Sequence, residues 1–240
     1  MKIEELLIEV KNLRKTNDHH AAYNLLTEKL DSNDYQALLF VNHPVWWTEI
    51  KAGICQLSRR SSKDADFLKE VWKNSDFIYA FHRHMKHLPS NDQHLCKILD
   101  QDYIASISET RSIHWIVKDK YSKPWGMISL TDMSLTHKRS EVLLGILNGA
   151  PHGLASAAML TLFQFYFKVI KFNKLVSLIY VDNQHSLKGT LHLGFKQEGH
   201  LRKHVIDPKT NDFIDLIQTG LVYDDAFNES NARLMKRLLS

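Results

Sequence analysis

Residues 143–156 read LLGILNGAPHGLAS, and this stretch decides the fold. A strand-like apolar run from Leu143 to Leu147 leads into a loop with Gly149 and Gly153, and a long apolar segment follows. A helix that starts there presents unpaired N–H groups and the positive end of its dipole, which suits a pyrophosphate. The segment alone also fits a plain strand-to-helix turn that uses glycine for its backbone freedom.

Residues 183–195, NQHSLKGTLHLGF, form the second informative segment. Asn183 follows an apolar run, a short helix is predicted from Ser186 to His192, and Gly194-Phe195 comes next. Together the two segments resemble the GCN5-related N-acetyltransferases (GNAT), in the branch with ribosomal-protein N-terminal, polyamine and amino-sugar acetyltransferases. The resemblance covers about Ile54 to Val222.

The resemblance implies an α+β fold, with a mixed, mostly antiparallel sheet that helices flank. Its two central strands, predicted at 144–148 and 175–181, would splay into a V-shaped slot for acetyl-CoA as co-substrate. The family's phosphate loop falls on residues 150–155, where Gly153 and Ala155 match the pattern and Ala150 departs from it. The residues thereby assigned to the cofactor are Ile146, Leu147, Asn148, His152, Gly153, Leu154, Ala155, Ser156, Asn183 and Ser186.

The resemblance also implies an N-acetyltransferase in which a neutral amine attacks the thioester directly. Many family members carry a base near Glu141, and Asp132 is the second choice. A surface ion pair of Glu141 with Lys138 or Arg139 is the alternative interpretation.

The general acid of the family, often a tyrosine seven residues after the asparagine, falls on Thr190. A threonine hydroxyl is a poor proton donor, so the role is vacant or filled elsewhere. Ser186 is one substitute donor, and its alternative role is to cap the short helix.

The basic cluster at residues 82–87, HRHMKH, would border the acceptor side of the slot. A basic rim attracts an anionic acceptor such as a nucleotide-linked amino sugar and repels a polyamine. A solvated helix end is a second interpretation. A zinc site is a third and weaker one, since no Cys or acid stands at ligand spacing. A small-molecule amine is the expected acceptor. A protein N-terminus or a non-catalytic acyl-CoA-binding module are the alternatives.

Domain organisation is predicted from the change of pattern near residue 50. Apolar residues at helical spacing within residues 1–50 predict a small helical extension, which offers a surface for homo-oligomers. Residues 51–240 are predicted to form the acetyltransferase domain with a closing helix. Within it we expect a first strand over 54–60, helices over 62–79 and 91–107 capped by Ser62 and by Ser90 or Asn91, and one helix over 154–172.

Composition excludes several classes of protein. The 240 residues carry a formal charge of only +4, too small to indicate a nucleic-acid partner, and no apolar run reaches the ~18 residues of a membrane span. The N-terminal stretch has acids inside its apolar run, unlike a signal peptide. Two cysteines, Cys55 and Cys96, form no disulfide framework, so a cytoplasmic location is expected.

Overall fold

A computed structural model describes residues 3–84, 87–89 and 91–240. Of the residues named above, Met85, Lys86 and Ser90 lie outside this described part. The structure is an α+β fold built on one eight-stranded sheet in the order β1-β2-β3-β4-β5-β6-β8-β7. Its strands are β1 (Ile50–Ala52), β2 (Cys55–Arg59), β3 (Ile113–Asp119), β4 (Pro124–Ser134), β5 (Arg139–Ile146), β6 (Lys174–Tyr180), β7 (Lys196–Ile206) and β8 (Phe213–Val222).

Helices cover both faces of the sheet and form the N-terminal extension. Their bounds are α1 (Ile3–Lys15), α2 (His19–Lys29), α3 (Gln36–Asn42), α4 (Ala65–Lys73), α5 (Ser75–Phe81), α6 (Asp92–Ile104), α7 (Ile107–Thr110), α8 (Leu154–Phe163), α9 (Gln184–His192), α10 (Tyr223–Ala226) and α11 (Glu229–Leu238). One core joins α8 to the sheet, and a second joins α4, α5 and α6 to its other face. No helix in the described part of the chain is long and apolar enough to cross a membrane.

Several predicted bounds differ from the structure. The strand expected over 54–60 is β2, and a short strand that was not predicted, β1, pairs with it as a hairpin in which Gly53 turns the chain with φ +51°. The helix expected from Ser62 to Tyr79 is broken at Asn74, whose side chain caps α5 by accepting the N–H of Phe77. The helix expected over 154–172 keeps its α-helical hydrogen bonds only to Phe163 and continues as a π-helical turn.

The N-terminal helices pack partly on themselves and partly on the sheet. Leu6, Val10, Ala22, Leu26 and Leu39 form a separate small core among α1, α2 and α3. By contrast Trp46, fully buried in the 3-10 turn Pro44–Trp46, belongs to the main core. The extension is therefore joined to the sheet through the segment that precedes β1.

Candidate active site

The two central strands of the sheet separate along their length. β5 and β6 pair in parallel only over Arg139–Glu141 and Lys174–Val176, and beyond this point they diverge. The N–H of Leu147 donates to the carbonyl of Trp125 at 2.8 Å, so the backbone groups of the preceding residue, Ile146, face the opposite, open edge. An extended ligand in the splay can pair with this edge as an added strand does.

The loop between β5 and α8 offers a set of free backbone donors. Among the described residues, the N–H groups of His152, Gly153, Ala155 and Ser156 make no hydrogen bond, and no acidic side chain stands in the first turn of α8. The N–H of Leu154 donates to the carbonyl of Pro151 at 3.1 Å, so Leu154 is removed from the donors expected at this loop. A pyrophosphate fits the remaining four N–H groups, because they lie at the N-terminal end of α8, where the helix dipole favours anions.

Gly153 shapes this loop through its backbone conformation. It is the N-cap of α8 with φ +84°, a region that residues with a Cβ rarely adopt. An added Cβ would also lie 3.1 Å from Cδ2 of Leu238 at the end of α11. The glycine is thus required by geometry at the position where the family's pattern places it.

Glu141 lies where the two strands begin to separate. It borders a cleft of about 370 Å³, whose other lining residues are Asp132, Arg139, Lys174, Val176, Leu178 and Gln218. Burial raises the pKa of the Glu141 carboxyl and the nearby charge of Asp132 adds to the rise, while hydrogen bonds with the backbone of Leu178 and the side chain of Thr131 oppose it. A carboxylate with a raised pKa is suited to accept a proton.

Glu141 differs from the other charged groups of this cleft because it has no ion-pair partner within the described residues. Asp132, in a bulge of β4, accepts from Arg111 at 3.2 Å and from Arg139 at 3.1 Å. Lys174 lies 2.7 Å from Glu198. The alternative pairing of Glu141 with Lys138 or Arg139 is therefore not present among the described ion pairs, and Glu141 is the one charged lining residue of the cleft without an ion-pair partner.

The short helix α9 is capped by Asn183 and not by Ser186. The Asn183 Oδ1 atom accepts the N–H of Ser186 at 3.1 Å, and its Nδ2 atom donates to the carbonyl of Ala80 at 3.4 Å. The capping role considered for Ser186 is thus wrong, because the helix starts two residues earlier. The Ser186 hydroxyl makes no hydrogen bond to any described residue, and Thr190 lies half-buried one turn further along α9.

Arg83 is buried, which corrects the prediction of a free basic rim. Its guanidinium donates to Asp207 at 2.6 Å and to Asp182, and it lies 4.0 Å and 4.1 Å from the ring centroids of Tyr79 and Tyr180. Sequence reasoning missed these partners, because Asp182 and Asp207 stand about a hundred positions away and only the fold brings them to Arg83. No group of three or more potential ligand side chains in the described part could hold a metal ion.

Comparisons with known proteins agree with this architecture. The Acetyltransferase (GNAT) domain family matches residues 56–196. An N-acetyltransferase of Bacillus subtilis (strain 168), YoaA, is 22% identical over 151 residues, which cover 62% of this chain and 83% of that protein. Spermidine N-acetyltransferase from Vibrio cholerae in complex with CoA and spermine is 15% identical, with a TM-score of 0.61 over 72% of this chain and 98% of that one. A probable acetyltransferase of known structure is 20% identical, with a TM-score of 0.62 over 73% and 97% of the two chains.

Proposed function

Because the chain belongs to the GNAT acetyltransferase family, we propose that it acetylates a small primary amine and that Glu141 removes the proton from this amine. The family uses acetyl-CoA as the acetyl donor, and so does this enzyme. The observation that carries the proposal is the unpaired, half-buried carboxylate of Glu141 at the point where β5 and β6 part.

The proposed chemistry needs a proton acceptor, because an amine is mostly protonated at neutral pH and only its neutral form attacks. Glu141 binds the ammonium by charge and then takes one proton. The amine nitrogen attacks the thioester carbonyl, the C–N bond forms, and the C–S bond breaks. A proton from the nitrogen ends on the departing sulfur, and backbone N–H groups at the open edge of β5 stabilise the carbonyl oxygen.

The donor site is proposed from the open edge and the loop. Ile146 and Asn148 would hold the extended arm of acetyl-CoA, and the free N–H groups of His152, Gly153, Ala155 and Ser156 would hold its pyrophosphate. The backbone of Leu147, predicted to take part, is already bonded to Trp125 and Ala150. Asn183 and Ser186 would border the same slot from α9. With its hydroxyl free, Ser186 is the proposed relay: its hydroxyl proton passes to the sulfur, the proton from the nitrogen replaces it, and the proton held by Glu141 leaves to solvent.

The acceptor is proposed to be a compact amine that arrives with a positive charge. Arg83, the one arginine of the expected rim, is compensated by Asp182 and Asp207, so the argument for an anionic acceptor is weakened. A nucleotide-linked amino sugar is therefore a test compound and not the first choice. The division at residue 50, homo-oligomers through the N-terminal helices and a cytoplasmic location remain proposals.

The test is thiol release from acetyl-CoA with a panel of polyamines, amino sugars, nucleotide-linked amino sugars and peptide N-termini. With the best amine, Glu141→Gln should lower kcat about 10² to 10⁴-fold at neutral pH, with part of the rate returning at high pH. The matched control Asp132→Asn should stay within a few-fold of the wild type. Full activity of Glu141→Gln would assign the proton to another group, and no turnover with any amine would favour a binding module.

A further inference from the structure

A second, larger cleft lies on a different part of the sheet. It has a volume of about 900 Å³ and is enclosed by the end of α1, the segment around Trp47, strand β2, the turn before α4, and α6. It shares no lining residue with the cleft at Glu141. Strands β3 and β4 separate β2 from the splay, so the two clefts are distinct sites.

Two buried arginines in the wall of this cleft have no carboxylate at ion-pair distance among the described residues. Arg14 and Arg59 are only 2% and 6% exposed. Arg14 donates to the side chain of Asn42 and to the carbonyl of Ile104, and Arg59 donates only to backbone carbonyls, the nearest at 3.2 Å. Within the described residues, neither guanidinium lies within 4 Å of a carboxylate. Carboxylates that act on the two arginines from further away compensate this buried charge only in part, so the fold holds positive potential here.

The two guanidinium groups are also close to each other. Both lie over the ring of Trp47, with carbons 4.2 Å and 5.0 Å from its centroid. Burial lowers the pKa of Arg14 to about 10, and the charge of Arg59 contributes to this fall. An anion beside the two guanidinium groups would offset the repulsion between their charges.

Two buried polar atoms in the same wall lack a hydrogen-bond partner. These are Nε of Arg14 and Oγ of Ser58. Buried polar groups are almost always satisfied in proteins, so unpartnered atoms in two residues that line one cleft indicate a missing partner.

The rim of the cleft adds more positive charge. Its lysines are Lys15, Lys63, Lys97 and Lys118. Of the three acids in the lining, Glu49 pairs with Lys51 at 2.8 Å, and Asp64 lies 3.9 Å from Lys118. The six basic residues still outweigh the three acids.

We propose that this cleft binds a phosphorylated small molecule, with its phosphate oxygens at Arg14, Arg59 and Ser58. Guanidinium groups and a hydroxyl match phosphate oxygens in charge and hydrogen bonding, and the lysines supply further charge. The volume lies in the usual range of small-molecule sites and exceeds what phosphate alone would fill. This site is separate from the proposed acetyl transfer.

The test uses pyrophosphate as the probe and citrate as the carboxylate comparator. Calorimetry is done on the full chain saturated with acetyl-CoA, so that the loop before α8 is already filled. Pyrophosphate should bind, more tightly than citrate, with an affinity that falls as salt is added. The exposed double variant Lys63→Gln, Lys97→Gln should weaken binding about tenfold, since charge steers and holds such ligands. The matched double variant Lys29→Gln, Lys171→Gln, which changes the same charge elsewhere, should bind as the wild type does.

Cys96 gives an independent readout, because it lines the cleft and is half-buried. Pyrophosphate should slow its alkylation by iodoacetamide, measured by mass spectrometry in the presence of acetyl-CoA. Cys55, whose pKa is raised to about 12 by burial, should stay unmodified and serves as the internal reference. No binding, equal binding by both lysine doubles, tighter binding of citrate, or unprotected Cys96 would each overturn the proposal. Neither readout needs turnover, so the result is independent of the proposed acetyl transfer.

Discussion

The carboxyl of Glu141 is held in surroundings that disfavour its charged form, so the group proposed for catalysis should be a burden on stability. Its pKa is raised in the folded protein, mainly by burial. The folded state then binds more protons than the unfolded state as the pH rises through the ordinary glutamate pKa, and stability is lost over that interval. Glu141→Gln removes this loss.

We therefore expect Glu141→Gln to unfold at a higher temperature than the wild type at neutral pH. A gain of 1 kcal/mol would raise Tm by about 2 to 4 °C in a chain of this size. The difference should shrink as the pH falls toward the ordinary glutamate pKa of 4.5. Thermal unfolding of both proteins across pH 4 to 8 measures it. A difference that grows on acidification would contradict the assigned direction.

Gly153 is the residue at which a substitution should separate acetyl-CoA binding from folding. Gly153→Asp places a carboxylate beside the free N–H groups of Ala155 and Ser156, where it repels a pyrophosphate and competes for its donors. We expect binding of acetyl-CoA, measured by calorimetry, to fall by at least about 100-fold. Aspartate tolerates a positive φ better than most residues, so the circular dichroism spectrum should stay that of the wild type. Undiminished binding by a folded variant would place the pyrophosphate elsewhere.

Features of the site that depend on neighbouring residues in the chain could be predicted from the sequence, and features that depend on contacts made by the fold could not. The glycine loop could be located, because its backbone requirement is local to residues 149–153. The lack of an ion-pair partner for Glu141 could not be predicted, since it depends on Arg139 of β5 pairing with Asp132 of the neighbouring strand β4. The same holds for Arg83, which a local pattern places on a rim and the fold buries.

Arg83 links two elements that are far apart in the chain. Its ion pair with Asp207 joins the end of α5 to the hairpin of β7 and β8, and its N–H donates to the hydroxyl of Tyr180 on β6. The side chains of Arg83 and Asp207 are only 3% and 4% exposed. Loss of one partner would leave a buried charge without compensation, which typically costs about 3 to 5 kcal/mol.

Arg83→Met should therefore lower the free energy of unfolding by about 3 to 5 kcal/mol in urea. The double variant Arg83→Met, Asp207→Asn should recover part of this loss, because no buried carboxylate is then left alone. As a control for the loss of an exposed cation, Arg233→Gln on α11 should change stability by less than about 0.5 kcal/mol. Equal destabilisation by the single and double variants would show that packing against Tyr79 and Tyr180 dominates.

The sequence predicted whether a segment is a helix or a strand better than it predicted the bounds and the burial of that segment. The apolar run 175–181 predicts a strand buried on both faces, yet most of β6 is only half-buried. The reason is the divergence from β5 beyond the Glu141–Val176 pair, which opens the cleft that Val176 and Leu178 line. Apolar composition alone does not distinguish a residue in the core from one that lines a ligand slot.

At the scale of the whole molecule, the boundary of the extension is set by Trp46 and not by the first strand. The main core includes Val41, Trp46 and Trp47, while α1 and α2 bury their own small cluster against Leu39. A cut at residue 50 removes a fully buried tryptophan from the core. A cut at residue 34 keeps α3 and the tryptophans and removes only α1 and α2.

We expect the two truncations to behave differently. Removing residues 1–50 should lower stability by more than about 3 to 5 kcal/mol, the usual cost of deleting one buried tryptophan side chain, and leave little folded protein. Removing residues 1–34 should leave a chain that unfolds cooperatively in urea and binds acetyl-CoA, because its loop and strand edge are intact. Far-ultraviolet circular dichroism in urea and calorimetry with acetyl-CoA measure both properties. If the shorter protein, 51–240, is as stable as 35–240, the core around Trp46 does not depend on this segment and the boundary belongs at residue 50.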